Sequence, residues 1–251
     1  MKNDRELMRV QDLALAMSLL TRIPVRVGDT SRNARAAWTY PIVGLMPAGL
    51  AALGGMLAGW LGWGPAISAL ISLSILVVTT GAMHEDGLSD TVDGLWGGWT
   101  KERRLEIMKD SRIGAYGVIA LVLSLAARWA ALTALFEAGA QFAVPALLAS
   151  ALLSRAAMPV LMALLPHARS TGLSHDVGRV PDNAAAMAVL IAVVLGIFLL
   201  GGLILIAGLC AALITWGLGY LAHKRIGGQT GDILGATQQM VEIAVLLCLL
   251  P

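Results

Sequence analysis

Four carboxylates, Glu85, Asp86, Asp90 and Asp93, fall within nine residues, directly after an apolar run. Acidic side chains beside hydrocarbon are costly unless something stabilises them, so by default they read as a functional site. On a helix Asp86, Asp90 and Asp93 stand at i, i+4 and i+7, within an arc of about 60°. Three like charges on one face repel unless a cation lies between them. Hard divalent cations take oxygen ligands, and Mg²⁺ combines a few carboxylates with substrate phosphates and water. The pattern predicts a Mg²⁺ site at Asp86, Asp90 and Asp93. Gly87 and Gly94, close to that face, leave room for a phosphate to approach the backbone. Glu85 points away from the aspartates and reads as a residue that supports the site from behind or as a structural one. His84, on the opposite side, is a candidate phosphate or ribose contact.

Further polar groups fall in the loops. Lys109 and Arg112 suit phosphate oxygens, which arginine holds with two hydrogen bonds and lysine as a point charge. Thr230-Gly231-Asp232 follows Gly227-Gly228-Gln229. The segment lacks the lysine of a Walker loop, but its glycines permit close backbone approach, and Asp232 is suited to complete a metal shell or to position a hydroxyl. Arg128 and Arg155 lie inside apolar runs, where each must pair or face a polar cavity. Arg155, near the middle of its run, is the candidate for a buried substrate contact. No Ser-His-Asp set, His-Glu-x-x-His or Cys-x-x-Cys occurs. Clustered carboxylates with scattered cations serve metal-assisted phosphoryl transfer.

The elements that position these groups follow from composition. The chain has 251 residues, 57% of them hydrophobic and only 14% charged. Its mean hydropathy is +0.76, and soluble domains carry roughly a quarter charged residues. Apolar runs over 38–60, 65–83, 113–136, 143–165, 185–201, 203–222 and 233–251 predict an all-α polytopic membrane helix bundle of about seven transmembrane helices, since a span needs about 20 apolar residues. Gly201-Gly202 marks the turn within the longest uncharged stretch. Sixteen of the 18 Lys and Arg fall in 1–37, 84–112, 166–184 and 223–232. That asymmetry places the N-terminus and the acidic loop in the cytoplasm. The net charge of +2 gives no reason to expect nucleic acid; the basic flanks reflect topology and anionic lipid. Cys210 and Cys248 read as structural thiols. No cleavable leader is expected, and an amphipathic interfacial helix fits roughly 6–21. The chain reads as one membrane-embedded catalytic domain over 1–251, with an interfacial segment at 1–37 and the catalytic loop at 84–112.

The motif His84-x-Asp86-Gly87-Leu88-x-Asp90-x-x-Asp93-Gly94 resembles the signature of the cobalamin synthases, the adenosylcobinamide-GDP ribazoletransferases. Leu20-Thr21-Arg22-Ile23-Pro24-Val25, Tyr40-Pro41-Ile42-Val43-Gly44, Lys109-Asp110-Ser111-Arg112-Ile113-Gly114 and Thr230-Gly231-Asp232-x-x-Gly235-Ala236 extend the resemblance along most of the chain. Ser89 stands where many members are expected to have alanine. The resemblance implies a multi-pass enzyme of the cell inner membrane that uses Mg²⁺ and faces the cytoplasm. It would join adenosylcobinamide-GDP to α-ribazole, or to its 5′-phosphate, and release GMP. Carried over by position, Asp86, Asp90 and Asp93 would hold Mg²⁺ and the pyrophosphate, with Asp232 or one of the three as proton acceptor. Lys109 and Arg112 would neutralise phosphate charge, with His84, Gly87, Gly94, Arg155 and Thr230 as further substrate contacts. The lipid bilayer is the expected surrounding, and the sequence leaves room for an oligomer.

Two other readings are weaker. A CDP-alcohol phosphotransferase would place Ala-Arg after its Asp-Gly and add two more aspartates at i, i+4, whereas Leu88-Ser89 follow here and Asp93 comes three residues after Asp90. A cation transporter would carry its ionisable residues near the midplane, in matched repeats. These carboxylates lie at an edge, and no repeat is visible.

Overall fold

The computed structural model describes residues 8–28 and 30–251. The start of the expected 6–21 helix lies outside them, as do Lys2 and Arg5 before it. Among the described residues eleven α-helices follow one another: α1 Val10–Leu20, α2 Tyr40–Trp60, α3 Pro65–Thr80, α4 Met83–Gly97, α5 Lys101–Ile107, α6 Ala115–Ala138, α7 Ala140–Leu164, α8 Leu173–Val177, α9 Asp182–Leu200, α10 Ile204–Ile226 and α11 Gly231–Cys248. The described residues contain no strand, only an isolated bridge between His167 and Gln229.

Each of the seven apolar runs is helical. Among the described residues four stretches are long and apolar enough to cross a membrane: Arg35–Trp60, Ala115–Ala138, Ala140–Leu164 and Asp182–Ile226. Counting α3 and α4, bent by 85° at their junction, as one broken span gives up to five. The count falls below seven for physical reasons. Asp182–Ile226, 45 residues long, is two helices joined by a short 3₁₀ turn at Gly201–Leu203. α3 has only 16 residues, and α11 carries Asp232, Gln238, Gln239 and Glu242.

α7 runs through the centre and is buried over nearly its whole circumference from Ala143 to Ala163. Small residues let its neighbours approach closely, as helix packing in lipid requires. Ala48, Ala51, Ala52 and Gly55 form such a strip on α2, where the Ser72 hydroxyl of α3 donates to the Ala51 carbonyl at 2.9 Å. α1 is fixed through its buried Asp12, which accepts from Arg32 Nε and Trp38 Nε1, each at 2.9 Å.

The α3–α4 junction sets the orientation of the acidic helix. Gly81 and Ala82 both take left-handed backbone conformations, φ 67° and 56°. A left-handed alanine is uncommon and mildly strained; here it turns α4 across the end of α3.

Candidate functional site

The three aspartates of α4 become progressively more enclosed along the helix. Asp86 is exposed, Asp90 half-buried and Asp93 buried. Asp93 serves the next helix: its Oδ2 accepts the Gly114 amide at 2.7 Å and its Oδ1 the Gly117 amide at 2.9 Å. It thus satisfies unpaired donors in the first turn of α6, where the helix dipole favours a negative charge. Gly114 and Gly117 leave the space its carboxylate occupies.

Asp232 arrives from α11. Gly87 of α4 lies against Gly235 of α11, and a Cβ added at Gly87 would stand 3.0 Å from the Asp232 carbonyl oxygen. Thr230 caps α11, accepting from the Ile233 amide at 3.3 Å and donating to Asp232 Oδ2 at 3.2 Å. Arg169 Nη2 pairs with the same Oδ2 at 3.2 Å. The loop bearing Arg169 is held to the start of α11. The Ala168 amide donates to the Gln229 carbonyl at 2.9 Å and the Gln229 amide to Pro166 at 2.8 Å, while Ser174 Oγ donates to the Gln229 side chain at 2.5 Å.

These carboxylates are close enough to perturb one another. Partial burial, followed by the charges of Asp86, Asp232 and Asp93, pushes Asp90 up to about 7, against the opposing pull of Arg169. Among the described residues no three His, Cys, Asp or Glu side chains form a ready-made metal cage. The donor set still fits Mg²⁺, which keeps several waters and needs only one or two carboxylates beside substrate phosphates. The excess negative charge around Asp90 is what a bound cation would offset.

Beside the acids lies a cavity of about 230 Å³, lined by Tyr40, His84, Asp86, Arg169, Ser174 and Asp232 among others. Two buried polar atoms on its wall, Tyr40 Oη and His84 Nε2, have no hydrogen-bond partner. Buried polar groups are nearly always paired, so each needs an explanation, and a ligand in the cavity supplies one. Burial, then the charges of Arg155 and Arg128, hold His84 well below the usual histidine range, leaving it neutral.

Asp86, Asp232, His84 and Gly87 therefore line one cavity, Asp90 is electrostatically coupled to the two acids, and Thr230 supports Asp232. The remaining expected contacts lie elsewhere. Gly94 offers no room for a phosphate, because α5 fills the space: an added Cβ would stand 2.9 Å from the Arg104 carbonyl oxygen. Lys109 is exposed on the loop after α5, and Arg112 Nη2 pairs with Asp110 at 2.7 Å. Arg155 does not line the cavity: it pairs through Nη1 with Glu242 at 3.0 Å. Glu242 also meets Arg128 at 3.3 Å, and Arg128 reaches Glu85 at 3.0 Å. Glu85 is thus held in an ion pair, and both arginines within apolar helices are paired. Sequence reasoning missed Arg169, Ser174 and Tyr40. Arg169 was visible only as one of several basic residues in the 166–184 loop, and Tyr40 only as part of a motif.

The described residues, all-helical with helices long and apolar enough to cross a membrane and with facing carboxylates at one end, define a membrane-type helix bundle that carries an acidic site. The family described as cobalamin-5-phosphate synthase matches residues 12–250. A relative from Bradyrhizobium diazoefficiens, named adenosylcobinamide-GDP ribazoletransferase, is 43% identical over 242 residues, covering 95% of this chain and 92% of its own. One of the same name from Mesorhizobium japonicum is 43% identical over 246 residues, with 95% and 92% covered. No solved structure matches. The chain belongs to the cobalamin-5-phosphate synthase family, whose members are enzymes of cobalamin assembly.

Proposed function

We propose that this protein joins adenosylcobinamide-GDP to α-ribazole, or to α-ribazole 5′-phosphate, releasing GMP, with Mg²⁺ as cofactor. The observation that carries the reading is the meeting of Asp86 and Asp90 on α4 with Asp232 on α11 beside Arg169. The new bond forms between a ribose hydroxyl oxygen of α-ribazole and the phosphorus that carries cobinamide. The bond from that phosphorus to the bridging oxygen breaks, and GMP departs with the electron pair. Mg²⁺ held by Asp86 and Asp90, with Asp93 behind them and Asp232 opposite, would neutralise the pyrophosphate charge that grows on departure. Asp232, or one of the three α4 aspartates, is placed to receive the hydroxyl proton. Arg169 lies where a phosphate oxygen can replace its bond to Asp232. Tyr40 Oη and His84 Nε2 are placed to hydrogen-bond substrate hydroxyls or phosphate oxygens.

The same reading places seven helices, α2, α3, α6, α7, α9, α10 and α11, across the cell inner membrane, with the N-terminus and α4 at the cytoplasmic side. The basic flanks support it through the positive-inside rule. Purified protein in lipid, supplied with adenosylcobinamide-GDP, α-ribazole and Mg²⁺, is expected to release GMP and form a cobalamin. No product from folded protein, with or without the 5′-phosphate substrate, overturns the assignment.

A further inference from the structure

At the C-terminal end of α4 a second cavity of about 240 Å³ opens where the ends of α4 and α10 meet α5, walled by Leu95, Trp96, Trp99, Arg104, Leu221 and Arg225. Arg104 is 8% exposed. Its Nη1 donates to the Arg225 carbonyl at 3.1 Å, capping the last turn of α10, where a cation suits the helix dipole. Its Nε is buried without a partner, and neither Arg104 nor Arg225 has a carboxylate partner among the described residues. Lys101 adds a third positive charge nearby, its Nζ 2.9 Å from where a Cβ on Gly227 would stand. Buried guanidinium groups are ordinarily paired, because an uncompensated buried charge is strongly unfavourable.

The rest of the wall indicates what the counter-charge is. Trp96 and Trp99 are 58% and 91% exposed beside the end of a membrane-length helix, the setting in which indoles anchor at the headgroup level. Basic pockets between helices at the cytoplasmic surface take anionic headgroups. A guanidinium fork matches the two free oxygens of a phosphodiester. The volume is below the roughly 300–1,000 Å³ of pockets that enclose drug-sized ligands, which suits a single headgroup and is too small for a corrinoid nucleotide. We propose that Arg104 and Arg225, flanked by Trp96 and Trp99, hold the headgroup phosphate of an anionic phospholipid. The inference rests on α10 crossing the membrane, but not on the identity of the reaction.

The test is native mass spectrometry of the full chain released from bilayers of equal phosphatidylglycerol and phosphatidylcholine. Wild-type protein is expected to retain phosphatidylglycerol over phosphatidylcholine. Arg225→Gln and Arg104→Gln are each expected to lower that retention about fivefold, equivalent to roughly 1 kcal/mol per basic residue at an anionic surface. Arg225 is exposed and keeps its backbone carbonyl when substituted, so its variant reports on binding without loss of the α10 cap. Equal retention in Arg225→Gln, or equal retention of the two lipids by wild type, overturns the proposal. Displacement of the lipid by millimolar inorganic phosphate would also overturn it, since the pocket would then belong to a free anion. GMP release in phosphatidylcholine alone is expected to be unchanged in Arg225→Gln. Wild-type protein that retains phosphatidylglycerol but makes no cobalamin removes the proposed reaction and leaves the lipid site standing.

Discussion

Gly87 of α4 and Gly235 of α11 meet backbone to backbone: a Cβ at Gly87 would stand 3.1 Å from the Gly235 Cα, and one at Gly235 would stand 3.3 Å from the Gly87 Cα. This crossing is what lets Asp232 approach Asp86 and Asp90. Gly87→Val is expected to force the helices apart. Overpacking of this kind costs about 1–3 kcal/mol, and the displaced Asp232 should lower turnover by more than tenfold. Thermal melting and GMP release measured on the same preparation check both effects; wild-type turnover in a folded Gly87→Val protein would sink the argument.

Asp86 and Asp93 should respond differently to the same change. Asp86 is exposed and repels Asp90, so Asp86→Asn is expected to reduce turnover at least a hundredfold while leaving the melting temperature unchanged or raised. Asp93 accepts two backbone amides, and asparagine would turn an NH₂ group toward one of them. Asp93→Asn should therefore destabilise the protein, by about 1–2 kcal/mol on the scale of a lost helix cap. Paired melting curves distinguish the two.

Stability without metal should fall as pH rises. Asp90 is raised from an ordinary 3.8 to about 7, so between those values the folded chain binds the proton more tightly than the unfolded chain. The associated stabilisation is complete below the lower value and lost as pH climbs through the upper one. Melting with chelator is expected to drop between pH 4 and pH 7, with Asp90→Asn flattening the curve and Mg²⁺ restoring wild-type stability at neutral pH. A flat wild-type profile would contradict the crowding of carboxylates.

Arg155→Met should act on the fold before it acts on substrate. It removes one of two guanidinium partners from Glu242, leaving Arg128 at 3.3 Å and the Gln238 amide at 2.7 Å. Breaking a buried ion pair on one side costs about 3–5 kcal/mol. The surviving partners place this case at the lower end. The melting temperature should fall clearly, with KM for both substrates near wild type; a raised KM at unchanged stability would return Arg155 to the substrate.

The helices were legible because long apolar runs bounded by glycine and charge leave the backbone little alternative. The turn at Gly201-Gly202 and the acidic face of α4 were read correctly for the same local reasons. Which helix lies at the centre was hidden. Asp182–Ile226 is the most apolar stretch, yet 17% of its most apolar window is buried, against 83% for α7. Lipid is as apolar as a protein core, so hydrophobicity does not separate the two surroundings. Pairings across the sequence were equally hidden. Asp93 serves an amide 21 residues away, and Arg155 meets Glu242 87 residues on. Gly94 resembled Gly87 by spacing, but whether a glycine opens onto a cavity or onto a neighbouring helix depends on tertiary packing.

The left-handed pair Gly81-Ala82 has a consequence for how two large molecules meet. A straight helix over 65–97 would extend about 50 Å at 1.5 Å per residue, beyond the ~30 Å of hydrocarbon, and its aspartates would stand at successive heights on a projecting rod. With the 85° turn, and with α3 across the membrane as proposed, they lie side by side at nearly one height instead. In the proposed transfer both reactants would then approach a common plane, and their encounter would lose one coordinate that diffusion would otherwise have to search.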